Sequence, residues 1–119
     1  MAEAVNREFG NAHYQPILLL ARHHEPCEVF ELFRAADFCV VSSLHDGMNL
    51  VAKEFVAARD DKKGVLILST FAGASKELLE ALLVNPYNIK GMAEAMHRAL
   101  TMPEAEQRER MRLMRDMVR

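Results

Sequence analysis

Phe38-Cys39-Val40-Val41-Ser42-Ser43-Leu44-His45-Asp46-Gly47-Met48-Asn49-Leu50-Val51-Ala52-Lys53-Glu54-Phe55-Val56-Ala57-Ala58-Arg59 is the stretch that decides the fold. Its first four residues form an apolar run with no polar alternation, the pattern of a strand covered on both faces. A polar loop with one glycine follows, and then Leu50, Val51, Phe55, Val56 and Ala58 repeat at helical spacing. A buried strand, a short polar loop and an amphipathic helix make the first half of a strand-crossover-strand unit.

Outward from this centre the alternation continues. Toward the N-terminus, Pro16 introduces the apolar run Ile17-Leu18-Leu19-Leu20-Ala21, expected to be another buried strand. Residues 2–9 are expected to be a short helix ended by Gly10-Asn11. Pro26 suits a first helical turn, and Val29, Phe30, Leu32 and Phe33 carry that helix toward Ala36. Toward the C-terminus, Asp60-Asp61-Lys62-Lys63-Gly64 is a charged turn before the buried run Val65-Leu66-Ile67-Leu68. Gly73 closes a turn, a short helix starts near Ser75, and Ala81-Leu82-Leu83-Val84 is expected to be a fourth strand stopped by Asn85-Pro86. Ile89, Met92, Ala93, Met96 and Leu100 mark an amphipathic helix at positions i, i+3, i+4, i+7 and i+11. Pro103 starts a last helix over residues 104–118, acidic early and arginine-rich late, as the helix dipole favours. Met111, Met114 and Met117 or Val118 share one face of it, which packs on the domain or serves as an interaction helix.

The expected architecture is α/β, a partial Rossmann-like parallel sheet of about four strands flanked by helices. In such sheets ligands bind at the carboxyl ends of the strands. The loops to inspect are those after Val41, Leu68 and Val84.

The 119 residues, half of them apolar, are enough for one domain or part of one. A net charge of −2 and a pI near 6.2 give no global reason to expect nucleic acid or an anionic membrane surface, and high apolar content argues against disorder. No apolar run approaches a bilayer span, and the N-terminus shows no signal-peptide pattern, so a soluble cytoplasmic protein is expected. The two cysteines form no CxxC pair, and Cys39 sits in an apolar run as a reduced, packed thiol. His23-His24-Glu25 and His45 are the nearest approach to a metal set. Adjacent strand residues point to opposite faces, so no metal is expected.

In the central loop an acidic residue, Asp46, and a glycine, Gly47, precede a helix whose first amides and dipole make an anion-binding end. Asn49 is placed to cap that helix, and Glu54 lies one turn in, placed for sugar hydroxyls rather than a phosphate. By itself this pattern fits a capped helix without ligand as readily as a binding site.

The run from Leu44 to Arg59 resembles the trehalose-6-phosphate synthase family of retaining glycosyltransferases. The resemblance continues in order through Leu68-Ser69-Thr70-Phe71-Ala72-Gly73-Ala74, Ala81-Leu82-Leu83-Val84-Asn85-Pro86-Tyr87 and the two last helices. It implies the C-terminal, donor-binding half of the two-domain GT-B fold, with UDP-glucose or UDP as partner and no separate cofactor. It implies a donor-binding run of Asp46, Gly47, Met48, Asn49, Leu50, Val51, Ala52, Lys53 and Glu54. Asp46 would be the catalytic contact on the glucose hydroxyls, and amides around Met48 and Asn49 would meet the same sugar. The Leu50 and Val51 amides would face the diphosphate, Glu54 would hold the ribose, and His24 would lie near the uracil. The complete enzyme would transfer glucose to glucose 6-phosphate with retention and without a protein nucleophile.

Two departures accompany the match. His45 stands where the family usually has arginine, and no Arg-x-Asp-Tyr-x-Lys-Gly-like segment is present to neutralise the diphosphate. The expectation is therefore a single partial domain, residues 1–119, without turnover on its own. It would pair with a missing N-terminal domain or form a homodimer. A non-catalytic interaction or regulatory module is the alternative.

Overall fold

The computed structural model of the chain describes residues 2–11, 14, 16–17, 25–43 and 50–118. Their element order is α1 (Ala2–Phe9), α2 (Pro26–Ala35), β1 (Phe38–Val41), α3 (Leu50–Ala58), β2 (Val65–Ser69), a 3-10 turn (Gly73–Lys76), β3 (Leu82–Val84), α4 (Ile89–Thr101) and α5 (Glu104–Val118). The described strands form one parallel sheet in the order β1-β2-β3, with Val41 opposite Leu68 and Ser69 opposite Val84. Parallel neighbours require crossovers, and α3 supplies the first. The architecture is the expected α/β one. The run Ile17-Leu18-Leu19-Leu20-Ala21, expected to be a strand, lies largely outside the described residues.

The central strand β2 is buried along its whole length, and its side chains alternate between two cores. Leu66 and Leu68 join Ala52, Phe55, Val56, Met111 and Met114 beneath α3 and α5. Val65 and Ile67 join Leu82, Val84, Ala99 and Met102 beneath α4. Both faces are thus covered, which is why the strand sequences are apolar runs rather than alternations. Phe33 of α2 meets Phe55 of α3 edge to face at 5.9 Å.

The polar ends are satisfied locally. Asn88 caps α4 by accepting from the Gly91 amide at 3.0 Å. Arg115 donates to the Val56 and Ala57 carbonyls at 3.0 and 2.9 Å and so closes the C-terminal end of α3. Arg59 does the same for α2, donating to the carbonyls of Phe33, Arg34 and Ala36, while its Nε reaches Lys63. The charged turn folds around that guanidinium, with Lys62 at φ 60° and Gly64 at φ 93°. A Cβ at Gly64 would sit 3.2 Å from the Arg59 Nε, so both space and backbone favour glycine there.

Rotation about the helix axis sorts the apolar residues of α4 and α5. On α4 the line that meets the sheet side is Met92, Ala95 and Ala99, whereas Ile89, Met96 and Leu100 are exposed. The alanines let the helix axis approach the strands closely, and the larger side chains roll outward. On α5 the buried line is Met111, Met114 and Val118, with Met117 outside.

Arg59→Met is expected to cost on the order of 3 kcal/mol in urea unfolding, because four part-buried carbonyls lose their buried donor at once. Arg108→Ala, which removes an exposed, solvent-screened pairing with Glu104, should leave the urea midpoint essentially unchanged. Burial pushes the Cys39 thiol up to about 11, whereas Cys27 is exposed. A maleimide at pH 8 should label Cys27 alone in the folded chain. The unfolded thiol ionises at lower pH than the folded one, so Cys39 should also make stability fall as pH rises from about 9 toward about 11.

Candidate functional site

The carboxyl ends of β1, β2 and β3 lie along one edge of the sheet, and α3 begins at that edge. Four hydrogen bonds weld the described edge together. Ser69, a buried polar residue at the end of β2, donates its hydroxyl to the Ser43 carbonyl at 2.6 Å and accepts from the Phe71 amide at 3.1 Å. The Thr70 amide donates to the Val84 carbonyl at 2.9 Å. Ser75 Oγ donates back to the Thr70 carbonyl at 3.2 Å. The loop that follows β1 therefore springs from a fixed base.

Within α3 the faces are sorted by burial. Ala52, Phe55, Val56 and Ala58 are in the core, while Val51 and Glu54 are exposed. Val51 and Glu54 are three residues apart and so share one outward face of the first turns. Lys53 is half-buried, and its ammonium lies 2.6 Å from Glu77, just beyond the 3-10 turn. That ion pair ties the start of α3 to the loop after β2. Ala72, Ala74 and Leu78 of the same loop join Ala52 and Phe55 in the core.

Of the expected site residues, Leu50 opens α3 and Val51, Ala52, Lys53 and Glu54 follow on it. Asp46, Gly47, Met48, Asn49 and His24 lie outside the described residues, as do His23 and His45. Glu77 and Ser69 were not singled out from the sequence. The signal for Ser69 was a lone hydroxyl ending an apolar strand at the ligand edge. Glu77 offered no local signal, because its partner is 24 residues away. Among the described residues there is no group of three or more His, Cys, Asp or Glu side chains able to hold a metal. Nor is any described helix long and apolar enough to cross a membrane.

The chain matches the family model for glycosyltransferase family 20 over residues 1–119. It is 49% identical over 115 residues to the bifunctional trehalose-6-phosphate synthase/phosphatase of Thermoproteus tenax, covering 97% of this chain and 16% of that protein. An alpha,alpha-trehalose-phosphate synthase (UDP-forming) from Burkholderia xenovorans, solved in complex with glucose-6-phosphate, superimposes with a TM-score of 0.96. It is 48% identical and covers 99% of this chain and 26% of that one. An E. coli trehalose-6-phosphate structure bound with UDP-2-fluoro glucose gives a TM-score of 0.94 at 45% identity, over 98% of this chain and 26% of that one. The chain thus spans about a quarter or less of the length of these relatives.

Lys53→Met is expected to loosen the edge without unfolding the chain. Amide exchange in the first turn of α3 and in residues 70–77 should quicken about fivefold to tenfold, in keeping with loss of a half-buried pair worth about 1 kcal/mol. Unchanged exchange in both segments would show that the ion pair does not brace the edge.

Proposed function

Because the chain belongs to glycosyltransferase family 20, we propose that this trehalose-6-phosphate synthase-like fragment forms the donor half of a nucleotide-sugar site. The ligand is UDP-glucose or UDP. The observation that carries this is the exposed pair Val51 and Glu54 on the first turns of α3, at the carboxyl edge of a parallel sheet, with seven residues between Asp46 and Glu54. A diphosphate at the Leu50 and Val51 amides would gain from unsatisfied N–H groups and the helix dipole together. Glu54, one turn further, is an acceptor suited to the ribose hydroxyls. Asp46 and the amides of Gly47, Met48 and Asn49 are assigned to the hexose, and His24 to the uracil. Support comes from the E. coli relative bound with UDP-2-fluoro glucose and the B. xenovorans relative in complex with glucose-6-phosphate.

In the full reaction glucose would pass from UDP-glucose to glucose 6-phosphate with retention. The protein would contribute positioning and fixed dipoles rather than a covalent nucleophile. The chain acts as one partial GT-B domain, residues 1–119, in the cytoplasm. Its described arginines favour a donor platform over a complete active site: Arg59, Arg110 and Arg115 all donate to main-chain carbonyls.

The exposed apolar residues Ile89, Met96 and Leu100 on α4 favour a covering partner, either a second copy or a further domain. Sedimentation at rising concentration should show self-association that Leu100→Glu weakens.

UDP at millimolar concentration should shift the amide resonances of residues 50–53, and Glu54→Ala should weaken binding roughly tenfold, the loss of a hydrogen bond to a charged acceptor. A folded chain whose amides stay unmoved would refute donor binding. UDP release from UDP-glucose and glucose 6-phosphate should remain at background for the chain alone. Robust turnover abolished by Asp46→Ala would show instead that the chain is a complete catalyst.

A further inference from the structure

Two aromatic side chains stand exposed at the same carboxyl edge. Phe71 lies two residues beyond the end of β2 and Tyr87 three beyond β3. They are 43% and 69% exposed, yet they meet edge to face with ring centroids 5.8 Å apart and planes at 77°. Their backbones are fixed. The Phe71 amide donates to Ser69 Oγ, and the Tyr87 amide donates to Asn85 Oδ1 at 3.0 Å. The bond from the Thr70 amide to the Val84 carbonyl ties the two loops together. The core beneath does not need Phe71, because Ala72 fills that place and is buried. So the pair is held in a defined geometry, outside the core, with apolar surface left in water.

We propose that Phe71 and Tyr87 form an aromatic corner that receives the hexosyl ring of the nucleotide sugar, a subsite that rests on the donor-site reading above. Neighbouring strands are about 4.8 Å apart, so the carboxyl ends of β2 and β3 lie roughly 5 and 10 Å from that of β1. That is within the reach of a sugar attached to a diphosphate at α3. An edge-to-face pair leaves open ring faces meeting at a steep angle. Such a corner takes one compact ring rather than an extended apolar segment. A pyranose offers apolar C–H faces and a rim of hydroxyls, matching apolar walls with a phenol at the margin.

The test is calorimetric titration of the 119-residue chain with UDP and with UDP-glucose in parallel. Phe71→Ala and Tyr87→Ala should each weaken UDP-glucose about threefold to tenfold and leave UDP unchanged. Phe71→Leu keeps apolar bulk and should lose the same advantage while melting at an unchanged temperature. Saturation of the aromatic protons should pass to glucosyl protons and not to ribose protons, which a merely structural role would not produce. Equal weakening of both ligands, no weakening of either, or absent transfer to the glucosyl ring would overturn the corner while leaving the donor reading intact. An unmutated chain that binds neither UDP nor UDP-glucose would instead overturn the donor reading, and the corner with it.

Discussion

A single guanidinium sets the geometry on which the described structure depends. Arg59 is 6% exposed and stands where α3 ends, α2 ends and the charged turn begins. It serves the terminal carbonyls of one helix, the Lys63 carbonyl in the turn, and Asp61 at 3.3 Å. A buried charge is tolerable only when its donors are used, and here the acceptors are main-chain oxygens that a helix end leaves without partners. The result is a fixed distance between the helix that precedes β1 and the helix that follows it. Phe33 and Phe55 pack edge to face in that same space, and the Arg59 guanidinium lies 6.0 Å from the Phe55 ring. The amino ends of β1 and β2 are thereby held in register at the side opposite the candidate site.

That division of labour has a consequence for the chemistry. Two arginines, Arg59 and Arg115, sit at helix C-terminal ends, where they satisfy carbonyls. Among the described residues, the carboxyl edge of the sheet carries hydroxyls, small residues, the Phe71–Tyr87 pair and the Lys53–Glu77 ion pair. Ser69 ties the end of β2 to Ser43 just past β1, the alanines at 72 and 74 pack in the core with α3, and Lys53 on α3 reaches Glu77. Amide dipoles are preorganised and need no side-chain ordering, but alone they bind a diphosphate less tightly than amides plus a guanidinium.

The legible parts of the sequence were those set by local periodicity. Phe38-Cys39-Val40-Val41 was placed without error, and Val65 and Val84 marked true strand limits, because an apolar run covered on both faces has few other solutions. The start of α5 was legible from Pro103 and the early glutamates. What periodicity could not supply was rotation about a helix axis. Ile89, Met92, Met96 and Leu100 look like one stripe, but Ala95 and Ala99 take the sheet-facing line because small side chains permit close approach. At the candidate site the run Leu50 to Glu54 was located correctly on a helix. The Lys53–Glu77 contact and the meeting of Phe71 with Tyr87 were not foreseen, since each joins residues from separate loops whose proximity exists only after the strands pair.

The sheet also explains why its two edges differ in character. Central β2 has no exposed residue, whereas β1 keeps three half-buried side chains and β3 exposes Leu83. Parallel strands are stable when both faces and both edges are covered, since each uncovered edge leaves main-chain groups to water. A short β3 limits that exposure to a few residues, and the bond from the Thr70 amide to Val84 continues the pairing past the end of the strand. At β1 the half-exposed Phe38, Cys39 and Val40 have no such device in the described residues. The apolar character of that strand is therefore greater than its own packing uses. The same is true of the outward stripe on α4. Both surfaces belong to elements whose sequences suit a larger body than the described one. The described part of the carboxyl edge, by contrast, is tied together by its own contacts, from Ser69 to Ser43, from Thr70 to Val84 and from Lys53 to Glu77.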